Sequence, residues 1–128
     1  MVVVHYSYKN SLIVIPAFIE TQTRFADLAM LLDTGCSHTI ISPAVLKMLN
    51  IPMEKLHYNS VVRTAITKEY GRLLKVKSFK IFGRTFVNHT VDCHSLPSGF
   101  NIDGLIGMDI LSKMRFAVDP FKKTITVE

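Results

Sequence analysis

The sequence predicts one domain built mostly of antiparallel β-structure with one or two short helices, and three observations lead to this prediction. The chain has 128 residues, of which 48% are hydrophobic and 20% charged. This length suits a single domain, and the composition is that of a folded globular protein. The apolar, β-branched runs are short and end at turn-type residues, a pattern typical of strands. Only two segments carry the signals of a helix.

The predicted strands are short runs rich in Val, Ile, Leu and Phe. Asp119-Pro120-Phe121-Lys122 is expected to form the turn between the last two, because Pro is preset for the first corner position. Gly83-Arg84 separates two others in the same way. The predicted strands cover residues 2–8, 12–19, 25–32, 39–41, 61–66, 73–82, 85–91, 116–118 and 124–127.

Two short helices are predicted from their start signals. Ser42 is expected to cap the first, and Pro43 then occupies the first helical position, where its missing N–H has no cost. The second is predicted to begin near Gly107 and to run to about Lys113. Asp109 would lie in its first turn, where a carboxylate complements the helix dipole.

Targeting signals are not visible in the sequence. The longest apolar run, residues 12–19, is interrupted by Pro16 and is far shorter than the roughly 18 residues of a membrane helix. The first residues lack the basic segment of a signal peptide. Cys36 and Cys93 are too few for a disulfide framework and favour a reducing compartment. A cytoplasmic location is therefore the default expectation, with no membrane partner.

The formal net charge of +5 is concentrated in the second half of the chain. Seven of the eleven basic residues after position 62 lie between Arg63 and Arg84. Such a stripe could attract nucleic acid, anionic lipid or acidic peptides. Because the stripe contains few aromatic side chains for stacking on bases, a solvated strand face is the preferred interpretation, and no nucleic-acid partner is expected.

The segment with the clearest chemical meaning is Asp33-Thr34-Gly35. It follows a fully apolar run, and a carboxylate at the end of a buried strand must be paired, neutralised or functional. Thr34 brings a hydroxyl that can form a hydrogen bond across a symmetric contact. Gly35 lets the backbone turn sharply and approach a ligand, and Ser37 supplies a further local hydrogen bond.

A second motif supports the first. Leu105-Ile106-Gly107 places two apolar residues before a glycine that opens a helix. Together the two motifs resemble those of the retropepsin-like aspartic proteases, and the resemblance extends over nearly the whole chain. The segment 112–119 resembles the bacterial and retrotransposon branch of this family rather than the retroviral one.

The resemblance implies an all-β, closed β-barrel-like domain with the acid-protease fold, covering residues 1–128 and functional as a homodimer. It assigns catalysis to Asp33, Thr34 and Gly35, and implies a peptide or protein substrate, with no metal and no cofactor. The family's flap hairpin, which closes over substrate, falls on residues 58–76. Substrate contacts are expected from Ser37, Ala65, Ile66, Thr67 and Ile106.

Aspartic proteolysis uses two carboxylates that share a proton: one activates a water and the other polarises the scissile carbonyl. This chain has one Asp-Thr-Gly, since no other aspartate is followed by Thr-Gly or Ser-Gly. A second copy of the chain must therefore supply the second carboxylate, which predicts an isologous homodimer.

Alternatives remain open at this point. The region of residues 58–76 has Gly71 as its only glycine, which leaves room for a dimeric peptide-binding module with little or no turnover. His89, Cys93 and His94 have spacings that could suggest a metal site, but a fourth ligand is missing. Cys36 with His38 could suggest a cysteine nucleophile, but no third group is in place to orient the imidazole.

Overall fold

A computed structural model describes residues 1–9, 11–96 and 101–128. Half of the chain is in strands, and the helices are short. The helices are α1 (Pro43–Met48) and α2 (Met108–Leu111), with a 3-10 turn at Met53–Lys55. The strands are β1 (Val2–His5), β2 (Ser7–Lys9), β3 (Leu12–Glu20), β4 (Phe25–Leu32), β5 (Ile40–Ile41), β6 (His57–Arg63), β7 (Lys68–Lys75), β8 (Ser78–Ile81), β9 (Arg84–Val87), β10 (Thr90–Cys93), β11 (Gly104–Ile106), β12 (Phe116–Asp119) and β13 (Thr124–Val127).

The strands form two sheets. The larger is a curled half-barrel with the order β6-β7-β10-β5-β11-β4-β3-β8-β9, and β2 pairs with β3 off this path. The smaller has the order β1-β13-β12. The predicted all-β fold with two short helices is confirmed. Within the described residues, no helix is both long and apolar enough to cross a bilayer.

The core lies inside the curl of the larger sheet. Along β3 the side chains of Ile15, Ala17 and Ile19 are buried, whereas their neighbours are more accessible, the period-two pattern of a sheet with one buried face. The helix α1 covers this core with Val45 and Leu46. Burial of large aliphatic side chains stabilises the fold by about 2 kcal/mol for each.

The centre of the sheet places two chain segments side by side. The strand β11 runs parallel to β4 and antiparallel to β5, so it joins two strands that lie close in sequence. Gly104 is the residue that permits this, because a side chain there would collide with the carbonyl oxygen of Ile40. The end of β4 therefore lies beside the end of β11.

Several predicted element boundaries were wrong. The predicted strand 2–8 is divided at the buried Tyr6, since β1 joins the small sheet and β2 the large one. The predicted strand 73–82 is divided at residues 76–77, where the chain turns from β7 to β8. The predicted strand 85–91 is divided by Asn88, whose φ of 53° is left-handed. The strand β11 was not predicted.

The helices also differ in detail from the predictions. Ser42 does occupy the N-cap position of α1, but it accepts the N–H of Val45 with its backbone carbonyl, and its hydroxyl makes no capping bond. The helix α2 begins at Met108, one residue after Gly107, and ends at Leu111 rather than about residue 113.

Candidate active site

Asp33 follows β4 directly and opens a tight loop, residues 33–39, here called the Asp33 loop. The Asp33 N–H donates to the carbonyl of Ile106 at 3.0 Å, which fixes the start of the loop to β11. Its Oδ1 accepts the N–H of Gly35 at 2.9 Å. Asp33 is half-buried, whereas Thr34 and Gly35 are exposed. The loop thus presents an oriented carboxylate and two accessible neighbours.

The start of α2 is hydrogen-bonded to the backbone of the Asp33 loop. The N–H groups of Met108 and Asp109 donate to the carbonyls of Cys36 (2.8 Å) and Ser37 (3.2 Å). Gly107 is needed for this approach, because a Cβ there would lie 2.6 Å from the carbonyl carbon and oxygen of His38. The second sequence motif therefore supports the first by direct contact.

A part-buried hydrogen-bond network, which the sequence did not predict, joins the end of the Asp33 loop to two other elements. The Thr39 hydroxyl donates to Asp109 Oδ1 at 2.8 Å and accepts the N–H of Gly107 at 3.3 Å. Asp109 Oδ2 lies 3.0 Å from His89 Nε2. Burial opposes ionisation of the Asp109 carboxyl, but the hydrogen bonds from His89 and Thr39 outweigh it and keep its pKa below the usual value.

The β6–β7 hairpin occupies the position predicted for the flap, although its first strand runs from residue 57 to 63 rather than from 61 to 66. Its turn is closed by the N–H of Thr64 on the carbonyl of Thr67 at 2.9 Å. The predicted substrate-binding residues Ala65, Ile66 and Thr67 all lie in this turn and are exposed; Ile66 is 95% exposed. A cluster of accessible side chains is thus held near the Asp33 loop.

The other two predicted substrate contacts have different surroundings. Ser37 lies in the Asp33 loop and hydrogen-bonds Arg63 at the end of β6. Ile106 is fully buried in the core, so its side chain does not face the site and this prediction was wrong. Its neighbour Leu105, on the opposite face of β11, is half-buried and lines the cavity beside Asp33.

An apolar cavity of about 310 Å³ lies beside the Asp33 carboxylate. Cavities of this size hold small ligands or single side chains. Asp33 is the only charged residue in its wall among the residues that the structure describes. The walls are formed by Leu12, Leu31, Leu32, Asp33, Leu96, Ile102 and Leu105.

A comparison of the sequence with models of protein families gives one match, to a family described as aspartyl protease, over residues 23–110. This span is more than half of the chain and contains both motifs. The chain belongs to the aspartyl protease family. A search among curated proteins finds no match.

The fold of this aspartyl protease family member agrees with the sequence match. It is similar to the crystal structure of a retropepsin-like aspartic protease from Rickettsia conorii, with a TM-score of 0.68. The two sequences are 21% identical, and the similarity covers 98% of this chain and 88% of the other. At this identity the likeness concerns the fold, which is retropepsin-like as predicted.

In the described parts of the chain, the residues of the two alternative sites, the metal site and the cysteine nucleophile, are not arranged as those sites require. Within residues 1–9, 11–96 and 101–128, no group of three or more His, Cys, Asp or Glu could hold a metal ion. His89 instead pairs with Asp109. The Cys36 thiol donates to the carbonyl of His38 at 3.1 Å rather than to its imidazole, and burial raises the pKa of this thiol. A thiol held protonated is a poor nucleophile.

The basic stripe, residues 63–84, extends from the end of strand β6 to the start of strand β9. Lys68, Lys75, Lys77 and Lys80 are exposed, as the solvated-face interpretation predicts. Arg72 differs, because its guanidinium donates to the carbonyl of Met53 at 2.5 Å. Arg84 likewise donates to the carbonyls of Lys113 and Glu128. The stripe is therefore a set of surface charges in which Arg72 and Arg84 also have structural contacts.

The buried carboxyl of Asp92, on β10, makes the stability of the fold depend on pH. Asp92 is only 1% exposed, and no group in the described parts of the chain forms a hydrogen bond with its Oδ1. Burial raises the pKa of this carboxyl to about 6; His38 and His94 oppose the rise, and Asp109 adds to it. The folded state therefore keeps this proton to higher pH than the unfolded chain does. Its contribution to stability is greatest below pH 3.8 and falls as the pH rises towards about 6.

Replacement of Asp92 by Asn removes this ionisation while conserving the shape of the side chain. We expect the free energy of unfolding at pH 7 to rise by about 3 kcal/mol, and the difference from wild type to disappear at low pH. Urea unfolding at pH 7 and below pH 3.8 measures both values. Asp27→Asn, at an exposed position of β4, is the matched control. A lower stability of Asp92→Asn at pH 7 would contradict this account.

Proposed function

We propose that this chain is one subunit of a homodimeric aspartic endopeptidase, with Asp33 and its symmetry copy as the catalytic dyad. The observation that carries the proposal is the Asp33 carboxylate at the edge of an apolar cavity, oriented by the N–H of Gly35. Thr34 and Gly35 are exposed beside it, which supports a role for this side of the loop in contacting a second copy.

The dyad works because two close carboxylates cannot both ionise. At about 3 Å and an effective dielectric of about 20, two full negative charges repel each other by roughly 5 kcal/mol. One proton therefore stays on the pair, which titrates as a unit. The ionised carboxylate takes a proton from a water molecule as it attacks the scissile carbonyl, and the protonated partner donates to the carbonyl oxygen.

The cavity supports a preference for apolar side chains next to the scissile bond. Six of its lining residues are Leu or Ile, and an unpaired polar side chain placed among them would lose its hydration without replacement. The substrate chain would lie extended between the Asp33 loop and the β6–β7 hairpin, bound through main-chain hydrogen bonds. Ala65, Ile66 and Thr67 would then contact substrate from the hairpin side, and Ser37 from the loop side.

Inhibition by the statine-containing peptide pepstatin tests the proposal. Its hydroxyl-bearing carbon resembles the tetrahedral transition state, so an aspartic peptidase binds it far more tightly than a substrate peptide of equal length. We expect cleavage of peptides with paired apolar residues, and stoichiometric loss of cleavage when pepstatin is added. Cleavage that pepstatin leaves unaffected would contradict the proposal.

A second candidate is a dimeric module of the same fold that holds extended peptides without cleaving them. It is favoured by the close approach of the hairpin to the Asp33 loop: Ala65 Cβ lies 3.5 Å from the place that a Cβ on Gly35 would occupy. Such a module would bind pepstatin no better than an ordinary peptide of the same sequence, because it gains nothing from the transition-state geometry.

A further inference from the structure

Two hydrogen bonds join the β6–β7 hairpin to the Asp33 loop of the same chain. The N–H of Ser37 donates to the carbonyl of Arg63 at 2.9 Å. In return, the N–H of Arg63 donates to Ser37 Oγ at 2.8 Å. The hairpin turn continues over the loop, with Ala65 facing Gly35. One residue of the loop thus binds both backbone polar groups of one residue in the hairpin.

The position of Arg63 in the sheet explains why these groups are available. Among the described strands, β6 is an edge of the larger sheet and pairs with β7 alone, where Arg63 lies opposite Lys68. In an edge strand, alternate residues direct their N–H and C=O away from the sheet. Arg63 uses both groups on Ser37, so the hairpin adds to the Asp33 loop in the way that an extended peptide adds to a sheet edge.

The Ser37 side chain has a further partner that stabilises this arrangement. Ser37 Oγ lies 2.8 Å from His38 Nδ1. When the ring nitrogen carries no proton, the Ser37 hydroxyl donates to it and the oxygen remains free to accept the N–H of Arg63. Both the N–H and the hydroxyl of Ser37 are therefore engaged in hydrogen bonds in this arrangement.

We infer that the backbone of Arg63 is an internal competitor of substrate: its carbonyl occupies the N–H of Ser37 and must leave it before an extended peptide can bind there. This inference rests on the proposed function only in taking the cleft beside Asp33 as the peptide site. The proposed function places Ser37 among the substrate contacts, so a peptide carbonyl beside Asp33 would compete for the Ser37 N–H that the Arg63 carbonyl holds. The measured affinity is then the intrinsic affinity reduced by the fraction of molecules in which the hairpin is released.

Two variants remove the same hydrogen bond from opposite ends. Arg63→Pro removes the N–H that binds Ser37 Oγ, and proline is tolerated on an edge strand where the N–H points outward. Ser37→Ala removes the acceptor and keeps the Ser37 N–H for substrate. Arg63→Ala is the matched control, because it loses the side chain but keeps the peptide N–H. Circular dichroism checks that each variant folds, and Ser37→Ala decides the question alone if Arg63→Pro does not fold.

Pepstatin binding by calorimetry and amide hydrogen exchange of the peptide-free protein are the readouts. We expect about fivefold tighter binding in Arg63→Pro and Ser37→Ala than in wild type, and no change in Arg63→Ala. The Ser37 amide should exchange slowly in wild type and faster in Arg63→Pro.

Equal or weaker binding in both test variants, or free exchange of the Ser37 amide in wild type, overturns the inference. Tighter binding without any cleavage would refute the proposed catalysis and support this inference. Cleavage together with unchanged binding in the variants would support the catalysis and refute this inference.

Discussion

Replacement of Asp33 by Asn should reduce peptide cleavage by about a thousandfold or more, with little change in stability. Asparagine cannot ionise, so the pair of side chains loses the base that activates water. The amide oxygen still accepts the N–H of Gly35, which keeps the loop in place. Measurement of kcat/KM, together with urea unfolding, separates the two effects.

Asp27→Asn is the matched control for this experiment, because it makes the same change at an exposed position of β4, the strand that leads to Asp33. Its kcat/KM should equal that of wild type. Cleavage by Asp33→Asn within tenfold of wild type would show that another group activates the water.

Replacement of Gly107 by Ala should lower the free energy of unfolding by about 3 kcal/mol or more. The new Cβ would lie 2.6 Å from the backbone of His38 and 2.8 Å from the carbonyl oxygen of Cys36, atoms that belong to the Asp33 loop. Backbone cannot move aside as a flexible side chain can, so either α2 or the loop must shift. Activity should fall along with stability, because the loop carries the catalytic carboxylate.

Met108→Ala controls for the loss of helix packing at the neighbouring position, which is 39% exposed. This variant should lose less than about 1 kcal/mol of stability. If Gly107→Ala were as stable as Met108→Ala, the close contact between α2 and the Asp33 loop would not be a determinant of the fold.

The sequence predicted the strands whose apolar runs are bounded by strong turn signals. The strand β4 has the predicted bounds, since it ends at the polar Asp33. By contrast, the run 73–82 contains no Gly or Pro, so nothing in it marked the corner at residues 76–77. Asn88 does mark the break in the run 85–91, because Asn is one of the few residues that adopt a left-handed φ at low cost.

The strand β11 could not be predicted from local pattern. It has three residues, and its hydrogen bonds go to β4 and β5, whose residues lie more than sixty positions earlier in the chain. Its sequence fits the entry to a helix equally well, and α2 does follow it. Only the long-range pairing determines that Leu105 faces the cavity and Ile106 the core.

The two motifs of the site could be predicted, because each requires an unusual local sequence. Their supporting contacts could not. The Thr39–Asp109–His89 network joins residues from three separate elements, and none of the three has a neighbour in sequence that hints at its partners. The same holds for Asp92, since a single aspartate in a short strand gives no sign that it is buried.

The measurement that tests the central claim most directly is the activity of mixed dimers. Wild-type and Asp33→Asn chains are unfolded together in varied proportions, refolded, and assayed at constant total protein. If each active site needs Asp33 from both subunits, activity follows the square of the wild-type fraction and falls to about one quarter in an equal mixture. A linear dependence, with about one half of the activity in the equal mixture, would mean that each chain works alone and that the shared dyad is wrong.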